Sequence, residues 1–108
     1  MIQQVFTLKG NMAARTIWLD YKELTPGDSR RVIDHSPDGF CWGYGGSGPA
    51  QLALAICLKL LGRDKAIECY QDFKSKLVAR LPQTDFSVKF LIIDGDWHNP
   101  VLSLNKAN

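Results

Sequence analysis

A glycine-rich loop that runs directly into a strongly apolar segment constrains the fold of this chain more than any other feature. Residues 39–49 read GFCWGYGGSGP and contain five of the nine glycines in the sequence. The residues that follow are almost all apolar, interrupted only by Gln51 and Lys59, until Gly62. A segment that is apolar nearly all round predicts a buried helix, here over about 49–61. This junction predicts the local structure but does not indicate an enzymatic reaction.

A second helix is predicted directly after the first. Between residues 64 and 81, apolar side chains recur at spacings of three and four, charged side chains fill the other positions, and Pro82 ends the pattern. Gly62 is placed to end the first helix, and Asp64 to cap the second. A connection of roughly two residues makes the pair an αα-hairpin.

Three segments show the period of two that predicts β-strands. Gln3–Lys9 and Arg15–Leu19 flank a Gly-Asn turn signal and predict an N-terminal hairpin. Phe86–Ile93 alternates most strongly and is apolar on both sides in its second half, so we expect it to be central or covered by the helices. The order of elements predicts the α+β class, with a small antiparallel sheet packed on the αα-hairpin.

The remaining segments are predicted as short or irregular. Residues 24–28 form a loop by composition, and SPDG at 36–39 is a type I turn signal. Arg30–Asp34 is predicted to be a short extended segment, because it contains two β-branched residues. Trp97 is expected to restart an extended segment after the turn Asp-Gly-Asp, and residues 104–108 are expected to be a loose tail. The whole chain, 1–108, has the length of one domain.

Composition predicts a soluble globular protein. Hydrophobic residues make up 45% and charged residues 22% of the chain, and the net charge of +2 creates no strong attraction to nucleic acid or to an anionic membrane. The three cysteines show no CxxC spacing and indicate free thiols in a reducing compartment. The N-terminus lacks the pattern of a signal peptide. We therefore expect a cytoplasmic protein, with no cofactor and no metal site.

The loop residues at the start of the first helix are candidates for binding an anion. Backbone N–H groups of Gly45, Gly46, Ser47 and Gly48 lie where a helix N-terminus attracts a phosphate or carboxylate. Neither the GxxxxGK[ST] nor the GxGxxG spacing is present. The alternative is that the glycines only allow tight packing beneath the buried helix. In that case Ser47 or Gly48 caps the helix.

The aromatic residues of the loop are candidates for contact with a partner. Trp42 and Tyr44 share one face if the segment is extended, and they would then stack on a partner side chain. Alternatively they close a small core. His35 is a further partner-binding candidate, and beside Asp34 it also fits an oriented general base. Its imidazole otherwise satisfies backbone groups at the neighbouring turn.

Two other patterns indicate chemistry only weakly. Asp94, Asp96 and His98 alternate, so on a strand they would face one side and could bind a metal, but Gly95 favours a turn that breaks this geometry. The basic residues near the end of the second helix suggest a helix-turn-helix, although acidic residues on the same face favour a solvated surface.

Two longer segments resemble a known family. Residues 35–56 read HSPDGFCWGYGGSGPAQLALAI, and residues 70–82 read YQDFKSKLVARLP. Together they resemble a family of small bacterial domains of unknown function, whose hallmark is HSPTGFEWGYGGSGPAQLALAIL followed by FK…VARLP. Asp38 and Cys41 stand where that pattern has Thr and Glu, so any role of the Glu is missing here. The resemblance implies a bacterial or phage origin and no established activity.

These observations favour an interaction module over an enzyme. Genes of the resembled family often lie on phages and mobile elements, whose small proteins are frequently host-interaction factors, such as inhibitors of CRISPR or restriction defence. We therefore expect a non-enzymatic domain that binds a protein partner. The alternatives are a small-molecule or phosphate-binding domain that uses the glycine-rich loop, and, less favoured, a nucleic-acid binder.

Overall fold

The computed structural model describes the backbone from residue 1 to 106 and the side chains from residue 1 to 103. Five strands in this part of the chain form one antiparallel sheet. They are β1 (Gln3–Asn11), β2 (Thr16–Leu19), β3 (Lys22–Leu24), β4 (Phe86–Ile93) and β5 (Val101–Lys106). Their order is β3-β2-β1-β4-β5, so β1 is central and β3 and β5 lie at the edges. The predicted hairpin and the predicted strand 86–93 are confirmed.

The described residues also form three α-helices. They are α1 (Gly27–Val32), α2 (Ser47–Leu61) and α3 (Arg63–Lys76), and a 3₁₀ turn, Val78–Arg80, follows α3. Gly62 joins α2 to α3 with a φ of +81°, a backbone conformation in which glycine is favoured. Its N–H donates to the carbonyl of Leu58 at 3.0 Å, which closes the end of α2. The predicted αα-hairpin and the α+β class are therefore confirmed.

The helices cover one face of the sheet and form a single core with it. Phe73 of α3 meets Phe90 of β4 edge-on, with ring centroids 5.5 Å apart. Every residue of α2 from Gly48 to Cys57 is buried, as the apolar pattern predicts for this helix. None of the helices in the described residues is long and apolar enough to cross a bilayer. The sheet, by contrast, keeps its other face open to solvent.

The predicted extended segment Arg30–Asp34 is wrong, since helix α1 runs through Val32. The N–H of Arg30 donates to the carbonyl of Pro26 at 3.0 Å, and that of Ile33 donates to Ser29 at 3.0 Å. The side chains of Arg30 and Asp34 also form an ion pair at 3.1 Å. Local hydrogen bonding therefore outweighs the strand preference of two β-branched residues.

The second helix ends earlier than its periodicity predicts. The apolar spacing continues to Leu81, whereas α3 ends at Lys76 and the chain tightens into the 3₁₀ turn. Leu77 marks the change with φ −124° and ψ −66°. As a result, Leu77, Val78 and Leu81 are all buried. The burial of these three apolar side chains accounts for the end of the regular α-helix at Lys76.

Two edge strands have no counterpart in the sequence prediction. Asp20 and Tyr21 have φ of +49° and +67°, values of a type I′ turn, and this turn folds β3 back onto β2. The predicted loop at 24–28 instead contains the end of β3 and the start of α1. Trp97 lies in a turn, and the extended chain resumes at Val101. Strand β5 covers residues 104–106 of the predicted tail, and 107–108 lie outside the described residues.

Candidate functional site

The glycine-rich loop is packed against the rest of the protein. A Cβ atom on Gly48 would lie 2.7 Å from the Cβ of Cys41, and one on Gly43 would lie 2.5 Å from the Cγ of Gln83. The N–H of Gly43 donates to the carbonyl of Val78 at 3.0 Å, and the Gln83 side chain donates to the Gly43 carbonyl at 3.0 Å. These two glycines let backbone and side chains approach closely, which favours the interpretation that they shape the fold.

The four anion-binding candidates occupy different environments. Gly46 is the N-cap of α2, and Ser47, which the sequence places as a possible cap, lies in the first turn without a capping side-chain bond. Gly45 and Ser47 are exposed, while Gly48 is buried. The Tyr44 ring covers Gly46, because a Cβ there would lie 2.5 Å from its Cε2. Only part of the predicted cradle is accessible, and anion binding remains a prediction.

Trp42 and Tyr44 do not form the shared face that an extended loop would give. Trp42 is fully buried, its Nε1 donates to the carbonyl of Thr84 at 3.0 Å, and its ring meets Phe86 edge-on at 5.3 Å. Gly43, with a φ of +86°, turns the chain between the two aromatics, so that Tyr44 is exposed. Trp42 therefore closes the core and offers no surface to a partner. Tyr44 is the aromatic of this loop that a partner can reach.

Tyr44 is also tied to the neighbouring thiol. Burial of its hydroxyl and a hydrogen bond with Cys41 raise the pKa of Tyr44 above its usual value. A raised phenol pKa means that Tyr44 stays neutral at physiological pH and acts as a hydrogen-bonding group. Tyr44 therefore does not act as a phenolate nucleophile.

His35 is held by structural hydrogen bonds. Its Nε2 lies 2.8 Å from the hydroxyl of Tyr70, and the Gln71 side chain donates to the same hydroxyl at 3.1 Å. Asp34 pairs with Arg30 at 3.1 Å. The arrangement favours a satisfied structural histidine over a general base oriented by its neighbour in sequence. As a partner-binding candidate, His35 is half-buried, so that only part of its side chain is accessible.

Gln51 is the polar residue whose role sequence reasoning misses. It is fully buried on α2, and its Oε1 accepts hydrogen bonds from the N–H groups of His35 at 2.7 Å and Ser36 at 3.1 Å. Its Nε2 donates to Ser29 Oγ at 2.8 Å and to the carbonyl of Ile33 at 3.1 Å. The signal was a single uncharged polar residue inside an apolar helix. Gln51 fixes α1 and the segment after it to α2.

The Asp-Gly-Asp-Trp-His string does not converge on one point. Asp94 accepts a hydrogen bond from the N–H of Ile2 at 2.8 Å, whereas Asp96 accepts from the N–H of His98 at 3.2 Å. The Nδ1 atom of His98 lies 2.7 Å from a carboxylate oxygen of Asp72 on α3. Among the described residues, no group of three or more His, Cys, Asp or Glu side chains could hold a metal ion.

The solvent-facing side of the sheet, which we call the open face, carries the largest set of accessible residues that the sequence did not single out. Cross-strand partners share a face, so the register defines its members. They are Gln3, Val5, Thr7, Lys9, Asn11, Thr16, Trp18, Glu23, Ser87, Lys89, Leu91, Ile93, Val101 and Ser103, of which Thr7 is buried. Strand β4 was expected to be central or covered by the helices. It lies between β1 and β5 and packs on α3 through Phe90, while Leu91 and Ile93 on the open face are only half-buried.

Three apolar residues of the open face form a line across the sheet. Val5 lies opposite Leu91, and Leu91 lies opposite Val101, so one residue comes from each of β1, β4 and β5. Val5 is 54% exposed and Val101 is 44% exposed. We call these three residues the apolar row. The signal in the sequence was the apolar character of both sides of β4.

Comparison with known proteins identifies the family. A family model described as "Family of unknown function (DUF6166)" matches residues 8–96. The chain belongs to this family, and the predicted membership of a domain family of unknown function is confirmed. No curated protein and no solved structure matches the chain.

Proposed function

We propose that this domain is a non-enzymatic module that binds a protein partner through the open face of its sheet. The observation that carries the proposal is the apolar row Val5–Leu91–Val101, which crosses three hydrogen-bonded strands with Val5 and Val101 exposed. Antiparallel sheets with one face on a core normally present polar residues to solvent on the other. Clustered apolar residues on an outward face are typical of interaction sites.

The surroundings of the apolar row have the composition of an interface rim. Ile93, next along β4, extends the row and lies opposite Gln3. On the other side, Lys89 lies opposite Thr7 and Ser103. Binding surfaces commonly combine an apolar centre with a polar border that hydrogen-bonds at the edge. The open face therefore supports contact with a partner over a flat surface.

Reactive side chains of the domain are occupied by contacts within the protein, which supports a binding function over catalysis. The His35 ring bonds to Tyr70, and the His98 ring bonds to Asp72. Burial raises the pKa of the Cys57 thiol well above its usual value, which keeps it in the unreactive protonated form. Each of these groups has a structural role that accounts for its position.

The family resemblance directs the search for the partner. Because the resemblance implies a phage or mobile-element setting, we propose a host protein as the partner, with components of bacterial defence as the first to examine. This part of the proposal rests on the family resemblance alone, whereas the location of the interface rests on the apolar row. The two parts are tested by the same capture experiment.

The test compares surface variants as bait in affinity purification from bacterial host cells. We expect a partner retained by the wild-type domain to be lost with the Val5→Lys/Val101→Lys double variant. Ile67→Lys is the matched control, since Ile67 is also an exposed apolar residue, at 42%, but lies on α3. Thermal unfolding of each variant verifies that the fold is kept.

Two results would contradict the proposal. If the double variant retains the partner while Tyr44→Ala loses it, the interface lies on the glycine-rich loop. If the purified domain turns over a nucleotide or an ester and His35→Ala abolishes the turnover, the domain is an enzyme.

A further inference from the structure

A shallow pocket lies at the end of the open face away from the apolar row. Its volume is about 410 Å³, and it is lined by Lys9, Gly10, Asn11, Trp18, Tyr21 and Phe86. Tyr21 is 60% exposed and Trp18 is half-buried, so both rings are accessible. The Nζ atom of Lys9 lies 4.8 Å from the centre of the Tyr21 ring.

Strand register and one glycine create this pocket. Trp18 lies opposite Lys9 on β1 and opposite Glu23 on β3, which sets its ring beside the lysine on the open face. The type I′ turn at Asp20 and Tyr21 carries the tyrosine ring to the same end of the sheet. Gly10 lies opposite Phe86 and leaves room for its ring to pack closely against β1, because a Cβ there would lie 2.4 Å from its Cε1 atom.

The lining selects for a flat ligand that carries negative charge. Aromatic rings stack on planar groups, and an ammonium group attracts an anion. Lys9 is the charged residue of the lining, and none of the described residues that line the pocket is acidic. Lys89 adds a second cation on the same face, opposite Thr7 and two residues along β4 from Ser87, the partner of Lys9. The Asn11 side-chain NH₂ can donate to the edge of a base, while its Oδ1 accepts from the N–H of Ala14 at 2.9 Å.

From these observations we propose that the pocket binds a nucleotide, with its base stacked on Trp18 and its phosphate paired with Lys9. The pocket volume falls in the range of small-molecule sites, which spans roughly 300–1,000 Å³. The same chemistry is offered by a free mononucleotide and by one unit of a single-stranded nucleic acid. The site is separate from the apolar row, so it stands or falls independently of the proposed protein interface.

Tryptophan fluorescence provides a direct readout. Of the three tryptophans, Trp42 and Trp97 are buried, so a stacked base should quench mainly Trp18. The full chain is titrated with AMP, with UMP and with fluorescently labelled octanucleotides of dA and dT, whose anisotropy reports binding independently. We expect quenching that saturates. Removing the stacking ring in Trp18→Ala should weaken oligonucleotide binding roughly tenfold, within the range for loss of one stacked base.

Charge variants test the site without removing the ring. Lys9→Met keeps the aliphatic stem and should weaken binding, whereas Lys59→Met, a matched lysine on α2 outside the pocket, should not change it. Glu23→Gln removes a carboxylate beside Trp18 and should strengthen binding of AMP while leaving binding of uncharged adenosine unchanged. Amide NMR spectra verify the fold of each variant, and Lys9→Met keeps the test valid if Trp18→Ala unfolds.

Comparing AMP with the octanucleotides shows whether the ligand is a free nucleotide or a single strand, and the variants show whether the pocket is the binding site. Equal affinity for AMP and the octanucleotides identifies a free nucleotide, and binding of octanucleotides alone identifies a single strand. If the wild-type protein binds nucleotide and both Lys9→Met and Trp18→Ala bind it with unchanged affinity, the proposal is overturned, because the site then lies elsewhere. Absence of quenching at millimolar nucleotide also overturns it, as does quenching by a proline-rich peptide alone, which would assign the pocket to protein recognition.

Discussion

Gln51 shows how much one buried side chain contributes to the arrangement of this domain. Its amide makes four hydrogen bonds and joins α2 to α1 and to the segment that carries His35. A buried polar group whose partner is removed costs about 1–3 kcal/mol for each group left unsatisfied. The position of the half-buried histidine, and of the turn that leads into the glycine-rich loop, depends on this one residue.

We predict that Gln51→Leu lowers the free energy of unfolding by about 2–4 kcal/mol, because several buried donors and acceptors lose their partner. Gln71→Leu is the matched control, since Gln71 is exposed at the protein surface and its side chain donates to the Tyr70 hydroxyl. Urea unfolding followed by circular dichroism measures both variants. Equal stability of the two variants would show that the Gln51 network contributes little.

The two outer glycines of the Gly45–Gly48 segment should respond in opposite ways to the same substitution. Gly48→Ala places a Cβ 2.7 Å from the Cβ of Cys41 in a buried contact, whereas Gly45→Ala meets nothing within 4 Å. We predict a loss of about 1–3 kcal/mol for Gly48→Ala, the usual cost of overpacking. Gly45→Ala should be neutral or slightly stabilising, because it restricts the unfolded chain. Thermal unfolding measures both, and destabilisation by Gly45→Ala alone would contradict the packing argument.

At the level of elements, length decides what the sequence predicts. Strands β1, β2 and β4 and helices α2 and α3 are long enough, or sufficiently regular, for their periods of two or near 3.6 to be read directly. Helix α1 has six residues and β3 has three, so neither completes a readable pattern. Helix α1 forms through local hydrogen bonds and is held to α2 by the Gln51 bonds to Ser29 and Ile33. Strand β3 depends on the type I′ turn at Asp20 and Tyr21.

The candidate site was less accessible to sequence reasoning than the fold. Trp42 and Tyr44 differ in burial because Gly43 has a positive φ, and a sequence cannot show which of its glycines adopts such a conformation. The apolar row depends on the register of β1, β4 and β5, and β5 was not predicted. The apolar character of both sides of β4 was visible, but a central position or cover by the helices explained it without an exposed apolar row.

The β2–β3 hairpin is held to the central strand by Asp20. Its Oδ1 accepts from the N–H of Thr7 at 2.8 Å, and its own N–H donates to the Thr7 carbonyl at 2.8 Å. We predict that Asp20→Ala costs about 1–2 kcal/mol, because one backbone donor loses its partner and a positive φ becomes less favourable. Asp28→Ala is the comparison, because Asp28 forms an exposed ion pair with Arg31 at 3.0 Å. Exposed ion pairs contribute little, so this variant should cost less than about 0.5 kcal/mol. Urea unfolding compares the two, and equal losses would rule out a special role for this turn.

At the scale of the whole molecule, chemical modification of the three cysteines measures how far the core opens, because they differ in burial. Cys57 is fully buried and Cys69 is 3% exposed, whereas Cys41 is half-buried in the loop. Burial raises the pKa of both Cys57 and Cys69, and the thiolate is the reactive form, so accessibility and charge act in the same direction. Modification of Cys57 therefore requires opening of the αα-hairpin, and modification of Cys41 requires only movement of the loop.

We predict that iodoacetamide at pH 8 modifies Cys41 first, and that Cys57 and Cys69 react together only as the domain unfolds. Mass spectrometry at increasing urea should show a singly modified species that converts to a triply modified one at the unfolding midpoint measured by circular dichroism. Gly48→Ala should accelerate modification of Cys41 in native buffer, since it forces Cys41 away from α2. Modification of Cys69 well below the midpoint would show instead that α3 separates from the sheet while α2 stays packed, and that the core is not one cooperative unit.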